Sequence, residues 1–282
     1  MKTIKQYAFI ATMAALIVGL GFSFNGCKQS QKDQGEGDQQ AQGEKITKSE
    51  IKQDVSEMVY PLPSNFEITE TLNEIGASFI ISLSSDIENV NKYVTEDRQA
   101  LNLGVYSADL SYATTYNMKQ YTMDYMDVTK QLVQELGITG AYSPDFIEQI
   151  KSNFDNKDRL VDMVTNSFYN TYKFMQQQGK DELSVLVVAG TWIEAMYITT
   201  HVSENTFHNK QIVDLIREQK KSLKKLIDLL KPFNENQSVS MVLEGLQPIY
   251  KVYQNRSEDG FTQKQVQKIQ NLTGEIRNKI IS

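Results

Sequence analysis

From residue 48 to the C-terminus, apolar side chains recur at spacings of three and four residues, which is the period of an α-helix. Leu, Ile, Met and Tyr carry most of this pattern, and no stretch shows the convincing alternation of a half-buried strand. Only five prolines occur in 282 residues, so little interrupts long helices. The pattern therefore predicts an all-α fold, a bundle of eight or nine helices.

Capping residues predict where these helices begin and end. A capping box of Ser64 and Glu67 predicts a helix that runs to about Leu83. Thr95 predicts the start of the next helix, which ends near Asn117. Further boundaries come from Gly137, Ser143-Pro144 and Gly179, with later helices at about 156–178, 181–202, 209–230, 238–254 and from 262 onward.

The first 26 residues have the layout of a secretory signal peptide. Lys2 and Lys5 precede an apolar stretch from Tyr7 to Phe24, which ends in small and polar residues. A membrane-spanning helix is the alternative, because the stretch is long enough to be considered. The stretch ends at Cys27, the only cysteine in the chain, and this favours the signal peptide.

Residues 24–27, Phe-Asn-Gly-Cys, resemble the lipobox of bacterial lipoproteins, in which a small residue precedes the cysteine that is lipidated after cleavage. Phe24 and Asn25 depart from the usual Leu and small residue, a variation familiar in lipoproteins of the Bacteroidota. The resemblance implies that Cys27 is lipidated, and Lys28 after it favours sorting to the outer membrane. A buried structural thiol or a catalytic nucleophile is disfavoured for Cys27, because a polar linker follows it.

A polar tether is predicted between the lipidated cysteine and the body, over residues 27–47. Residues 28–45 contain six Gln and three Gly, with Ala41 as their only apolar side chain, so they cannot bury apolar surface. As a flexible chain they would span roughly 20–25 Å. The remaining residues, 48–282, are predicted to form a single helical domain.

Charge narrows the classes of partner. The predicted signal peptide carries two of the 29 basic residues and none of the 35 acidic ones, so the mature chain has 27 basic and 35 acidic side chains. This excess of negative charge argues against binding to nucleic acid, and equally against charge-driven adhesion to an anionic lipid surface. The one basic cluster, residues 217–225, has helical spacing and is predicted to be a solvated helix face.

Two apolar stretches, 101–117 and 186–202, resemble each other at an offset of 85 residues. Leu101, Tyr112, Thr114 and Thr115 fall on identical residues, and Asp109 falls on Glu194. Each stretch holds this one carboxylate among about twenty uncharged residues. We infer a duplicated helical unit, with repeats at about 66–137 and 156–230, whose most apolar helices meet at the centre.

Helical spacing places each carboxylate on a polar stripe. The candidate site residues on the two stripes are Asp109, Tyr112 and Tyr116, and Glu194, Tyr197 and His201. A bare carboxylate is too costly in an apolar interior, so each must be paired, hydrogen-bonded or protonated, with the tyrosine hydroxyls as available donors. Two interpretations stay open: the carboxylates are structural and set the register of the two halves, or they line a polar ligand pocket.

Catalytic and metal-binding patterns find little support. The chain lacks Glu-x-x-His, Gly-x-Ser-x-Gly, a P-loop and Gly-x-Gly-x-x-Gly. A transition metal at Glu194 and His201 is disfavoured, and no metal, cofactor or catalytic residue is predicted.

Residues 100–112 and 184–201 resemble a family of uncharacterised all-helical lipoproteins of Bacteroidota. The resemblance implies a similar fold and an envelope location but no activity. We therefore predict a lipid-anchored outer-membrane lipoprotein that faces the periplasm or the surface. Its predicted role is a protein-interaction module; the alternatives are a small-molecule binder with its pocket between the central helices and, with least support, an envelope hydrolase.

Overall fold

The structure is a computed structural model that describes residues 65–203, 206–255 and 260–282. These residues form nine α-helices and five short 3-10 helices, without a β-strand, which confirms the all-α prediction. The predicted signal peptide, Cys27 and the tether lie outside the described residues, as does the predicted capping box at Ser64.

The α-helices are numbered in chain order. Their bounds are α1 Asn65–Glu74, α2 Glu96–Thr115, α3 Lys119–Glu135, α4 Phe146–Ser152, α5 Lys157–Gln177, α6 Asp181–His201, α7 Lys210–Leu230, α8 Gln237–Gln254 and α9 Gln263–Ile281.

Most helices begin and end where capping residues predicted. Thr95, Asn156 and Asn209 each accept a hydrogen bond from a backbone N–H of the first turn of α2, α5 or α7, which satisfies donors that have no partner inside the helix. Gly137 and Gly179 have φ of 68° and 71°, the left-handed conformation that ends a helix at low cost for glycine.

Two boundaries were predicted wrongly. α1 ends at Glu74 rather than near Leu83, because Gly76 takes a left-handed φ of 77°. Residues 77–94 then form a segment with two 3-10 turns, which we call the strap. Leu83 and Val90 of the strap are buried against the core, so the apolar pattern continues although the helix does not. α4 starts at Phe146, two residues after Pro144.

The central helices α2 and α6 pack against each other more extensively than any other pair of elements. Glycines allow this close approach: a Cβ on Gly104 would lie 2.1 Å from the Val187 carbonyl oxygen, and a Cβ on Gly190 would lie 2.0 Å from that of Leu101. The crossing is locally two-fold, because Gly104 and Gly190, like Leu101 and Val187, are 86 residues apart. This differs by one residue from the offset of the sequence echo, and the duplicated unit itself stays a prediction.

The other helices surround this pair. α3 packs on α2, α7 packs on α6, and α9 packs on α6 and α8. Among the described helices, α6 is the one whose length and hydropathy would suffice to cross a membrane, but 94% of its apolar window is buried inside the body. Its composition is therefore accounted for by its place in the core.

Candidate functional site

The two carboxylates of the central helices are fully buried. Asp109 on α2 and Glu194 on α6 are both 0% exposed, and Arg277 on α9 is 5% exposed. We call these three residues the central cluster. Since an isolated charge is too costly in an interior, the hydrogen bonds of this cluster decide what the site can do.

Arg277 neutralises Glu194 directly. Its Nε donates to Glu194 Oε2 over 2.6 Å, and its second terminal nitrogen donates to Oε1 over 2.7 Å. Such two-point guanidinium–carboxylate pairing is among the strongest side-chain interactions in proteins. The same nitrogen also donates to the Leu83 carbonyl over 2.9 Å and to Ser85 Oγ over 3.1 Å. Arg277 therefore ties α9 to α6 and to the strap.

Asp109 is left without a cation of its own. One of its oxygens accepts a hydrogen bond from the Ser85 N–H over 2.9 Å, while the other has no donor among the described residues. Burial and the nearby Glu194 raise the pKa of Asp109 well above its usual range. Burial raises the pKa of Glu194, while the charge and the hydrogen bonds of Arg277 oppose this rise. The cluster thus combines one ion pair with a carboxyl group that binds a proton more readily than usual.

Contrary to prediction, the tyrosine hydroxyls form hydrogen bonds with the backbone of the strap and not with the carboxylates. The Tyr112 hydroxyl accepts from the Ile80 N–H over 2.9 Å and donates to the Ser78 carbonyl over 3.2 Å. Tyr106 and Tyr125 donate to strap carbonyls in the same way, at 2.7 and 3.1 Å. The first helix was predicted to run to about Leu83, through the first part of the strap. The need of an irregular backbone for side-chain partners was therefore not foreseen.

Of the remaining stripe residues, Tyr197 and His201 lie beside the central cluster, and Tyr116 lies under the strap. Tyr197 stacks on Arg277, whose guanidinium carbon is 4.1 Å from the ring centroid. The His201 ring lies 4.1 Å from the Tyr197 ring, and its Nδ1 is 2.8 Å from the Tyr197 carbonyl. Tyr116 packs against Phe79 and Tyr112, and its hydroxyl has no partner among the described residues. Tyr116 is therefore part of an aromatic cluster under the strap.

A polar ligand pocket at these residues, one of the two open interpretations, does not fit their burial. Asp109 and Glu194 have no solvent-exposed surface, and both oxygens of Glu194 are already bound by Arg277. No three His, Cys, Asp or Glu side chains among the described residues lie close enough to hold a metal ion. Burial and Arg277 lower the pKa of His201, which keeps this ring neutral at pH 7.

Arg277 is the functional group that the sequence analysis missed. The stripe test that selected Asp109 and Glu194 would have found it, because Arg277 follows Thr273 by four residues and precedes Ile280 by three. Both neighbours are buried on the same face of α9. One helix thus has a cation at a core position, and two other helices have carboxylates at core positions. These charges are complementary.

A separate cavity of about 300 Å³ lies between α3, the segment before α4, and α5. The surface of its wall is mostly apolar, and six of its lining residues are apolar: Leu110, Met126, Val133, Pro144, Phe146 and Ile147. Five lining residues carry hydroxyls, and two more are exposed polar residues: Thr129, Thr139, Tyr142, Ser143 and Ser167, with Lys130 and Gln134. A mostly apolar wall surface that also carries polar groups is typical of small-molecule sites.

No protein-family model, curated protein or solved structure matches this chain. The function therefore has to be argued from the geometry of the cluster and the cavity.

Proposed function

We propose that this chain is a lipid-anchored binding protein of the bacterial outer membrane, which holds a small apolar molecule in the cavity between α3, α4 and α5. The observation that carries the proposal is the cavity itself: about 300 Å³, with a mostly apolar wall surface and five hydroxyl-bearing residues in its lining. The sequence suggested a ligand site at the carboxylates, and the proposal moves it to the cavity, because Asp109 and Glu194 are sealed.

The size and polarity of the cavity restrict the ligand. Its volume corresponds to roughly ten water molecules at about 30 Å³ each, so the ligand has a comparable number of non-hydrogen atoms. The Tyr142 hydroxyl stays protonated, since burial raises its pKa, and can donate to one polar group of the ligand. A small aromatic or aliphatic molecule with a single hydroxyl or carbonyl fits these conditions.

A protein-interaction module is supported less well. Interfaces are generally built around buried apolar anchors, so a docking face should expose large apolar side chains before the partner binds. Among the described residues, the large hydrophobic side chains exposed by more than a third are Ile81 at 39% and Val94 at 81%.

The proposal is tested by titrating the chain with 1-naphthol, a fluorescent apolar molecule with one hydroxyl. We expect saturable binding that Ser167→Phe weakens at least about tenfold, because the new ring fills the cavity. Ser167 suits this test, since its side chain lines the cavity and its hydroxyl donates to the Val164 carbonyl of its own helix.

The matched control is Ser167→Ala, which removes the same hydroxyl but leaves the volume open. Its affinity for 1-naphthol should stay within about threefold of the wild-type value, a smaller change than the loss of one hydrogen bond would cause. Absence of saturable binding, or equal binding by Ser167→Phe and Ser167→Ala, would contradict the proposal.

A further inference from the structure

The outer face of α7 differs in charge from the rest of the molecule. The inner face is buried through residues such as Leu215, Leu223 and Leu230. The outer face carries the charged side chains of the helix and of Lys231 directly after it. Residues 210–231 contain seven basic and three acidic side chains, an excess of four positive charges. Since the whole chain has a net charge of −6, the other residues together carry −10.

Part of this basic face is already paired within the helix. Arg217 contacts Asp214, and Lys224 and Lys231 both contact Asp228, at 2.6 to 2.8 Å. Lys220, Lys221 and Lys225 are exposed and have no carboxylate within 4 Å among the described residues. These three ammonium groups are therefore available to an external anion.

The shape of the basic face favours a flat partner. The basic residues from Arg217 to Lys225 recur at helical spacing and form one stripe. A helix of 21 residues is about 31 Å long. The exposed part of this stripe has no large apolar side chain that could anchor a folded protein partner. Phosphate-bearing headgroups offer a plane of negative charge that many lysines contact at once, without a pocket.

We infer that the basic face of α7, defined by Arg217, Lys220, Lys221, Lys224 and Lys225, lies against the anionic headgroups of the membrane that carries the lipid anchor. The inference rests on the proposed lipid anchor for its location, since a tether of roughly 20–25 Å would keep the body near the bilayer. Net charge alone predicted no such adhesion, because it averages over a surface whose charges are unevenly distributed. A lipid chain and a basic patch together are the usual combination for stable membrane attachment.

The experiment uses residues 46–282, which form one compact unit and lack the anchor. Co-sedimentation is measured with phosphatidylcholine vesicles that contain about one-third phosphatidylglycerol, and with vesicles of phosphatidylcholine alone. We expect binding to the anionic vesicles only, and loss of this binding between about 0.05 and 0.5 M NaCl, since salt screens exposed charges.

Two triple variants separate the basic face from net charge. Lys220→Gln/Lys221→Gln/Lys225→Gln should lower the vesicle partition coefficient at least about tenfold, because each lysine near an anionic surface contributes to the attraction. The control, Lys264→Gln/Lys268→Gln/Lys279→Gln, removes three exposed lysines of α9 and should change it less than about twofold.

Three outcomes would overturn the inference: equal loss in both triple variants, binding that survives high salt, or equal binding to neutral vesicles. None of them depends on lipidation at Cys27, which is absent from residues 46–282. They are equally independent of 1-naphthol binding, so the proposed ligand site and the membrane face can fail separately.

Discussion

The central cluster and the cavity are opposite solutions for polar groups in the same core. In the cluster, Asp109, Glu194 and Arg277 are sealed from water, and nearly every polar atom has a partner. In the cavity, the Thr129 and Ser167 hydroxyls donate to carbonyls of their own helices, and the neighbouring space is open. The first arrangement fixes the relative positions of three helices and the strap, while the second leaves room for a guest.

This difference shows that a charged residue in an apolar helix indicates a structural fastening, an internal ion pair that holds helices together, as readily as a binding site. A buried charge that is already paired has little left to offer a ligand, and breaking the pair would be costly. Space for a ligand arises instead where packing is incomplete. Here that place is the irregular segment between α3 and α5, which contains the short helix α4.

The largest effect is expected from removing the cation of the cluster. Arg277→Met should lower the free energy of unfolding by about 3–5 kcal/mol, because it leaves Glu194 buried without a counter-charge. Urea unfolding monitored by circular dichroism measures this loss. The loss should shrink at acid pH, where Glu194 can take up a proton.

The control for this change is Lys279→Met, an exposed position two residues further along α9, where the effect should stay within about 0.5 kcal/mol. The double variant Glu194→Gln/Arg277→Met should recover part of the stability, since no unpaired charge remains. If the single variant Arg277→Met were as stable as Lys279→Met, the cluster would not contribute to the stability of the fold.

A second large effect should come from the helix crossing next to the cluster. Gly190→Ala should cost about 3 kcal/mol, at the upper end for overpacked cores, because its Cβ would meet the Leu101 carbonyl oxygen at 2.0 Å. Gly274→Ala on α9 is the matched control, since its nearest neighbours lie at 3.9 Å. That control should raise the melting temperature slightly, because alanine favours helix by about 1 kcal/mol. Equal effects of the two changes would contradict a close crossing.

The fold was largely predictable from the sequence because each helix carries local signals. Thr95, Asn156, Asn209 and Thr262 all cap the helices they were expected to start, since capping depends on residues within one turn. The strap was not predictable in this way. Backbone groups of the strap form hydrogen bonds with side chains far along the chain, such as that of Tyr106. No local sequence pattern predicts such a contact.

The site was predictable only in part, for a similar reason. Burial of Asp109 and Glu194 follows from the apolar residues around them, which periodicity reveals. The partner of Glu194 comes from α9, 83 residues later, and only a comparison of core faces across the whole chain would have suggested Arg277. The cavity left no sequence signal, because it depends on where packing fails rather than on any residue type.

The smallest effect on stability is expected from Asp109→Asn, and its sign depends on pH. Because the folded-state pKa of Asp109 is raised, its contribution to stability is complete below the unfolded pKa of about 3.9 and is lost as pH rises through the folded pKa. The amide introduced by this change would keep the bond from the Ser85 N–H and would not titrate. Relative to wild type, the variant should therefore become more stable as pH rises, and lie within about 1 kcal/mol of it at neutral pH.

Urea unfolding of wild type and Asp109→Asn at a series of pH values from 4 to 9 tests this, because contributions from groups such as His201 cancel in the difference. Parallel pH profiles would show that the pKa of Asp109 is not raised in the folded protein. The same variant also separates the two regions: if the cluster is only a fastening, Asp109→Asn should bind 1-naphthol as wild type does. A ligand that used the carboxylate would lose affinity, and the proposed division between a sealed cluster and an open cavity would then be wrong.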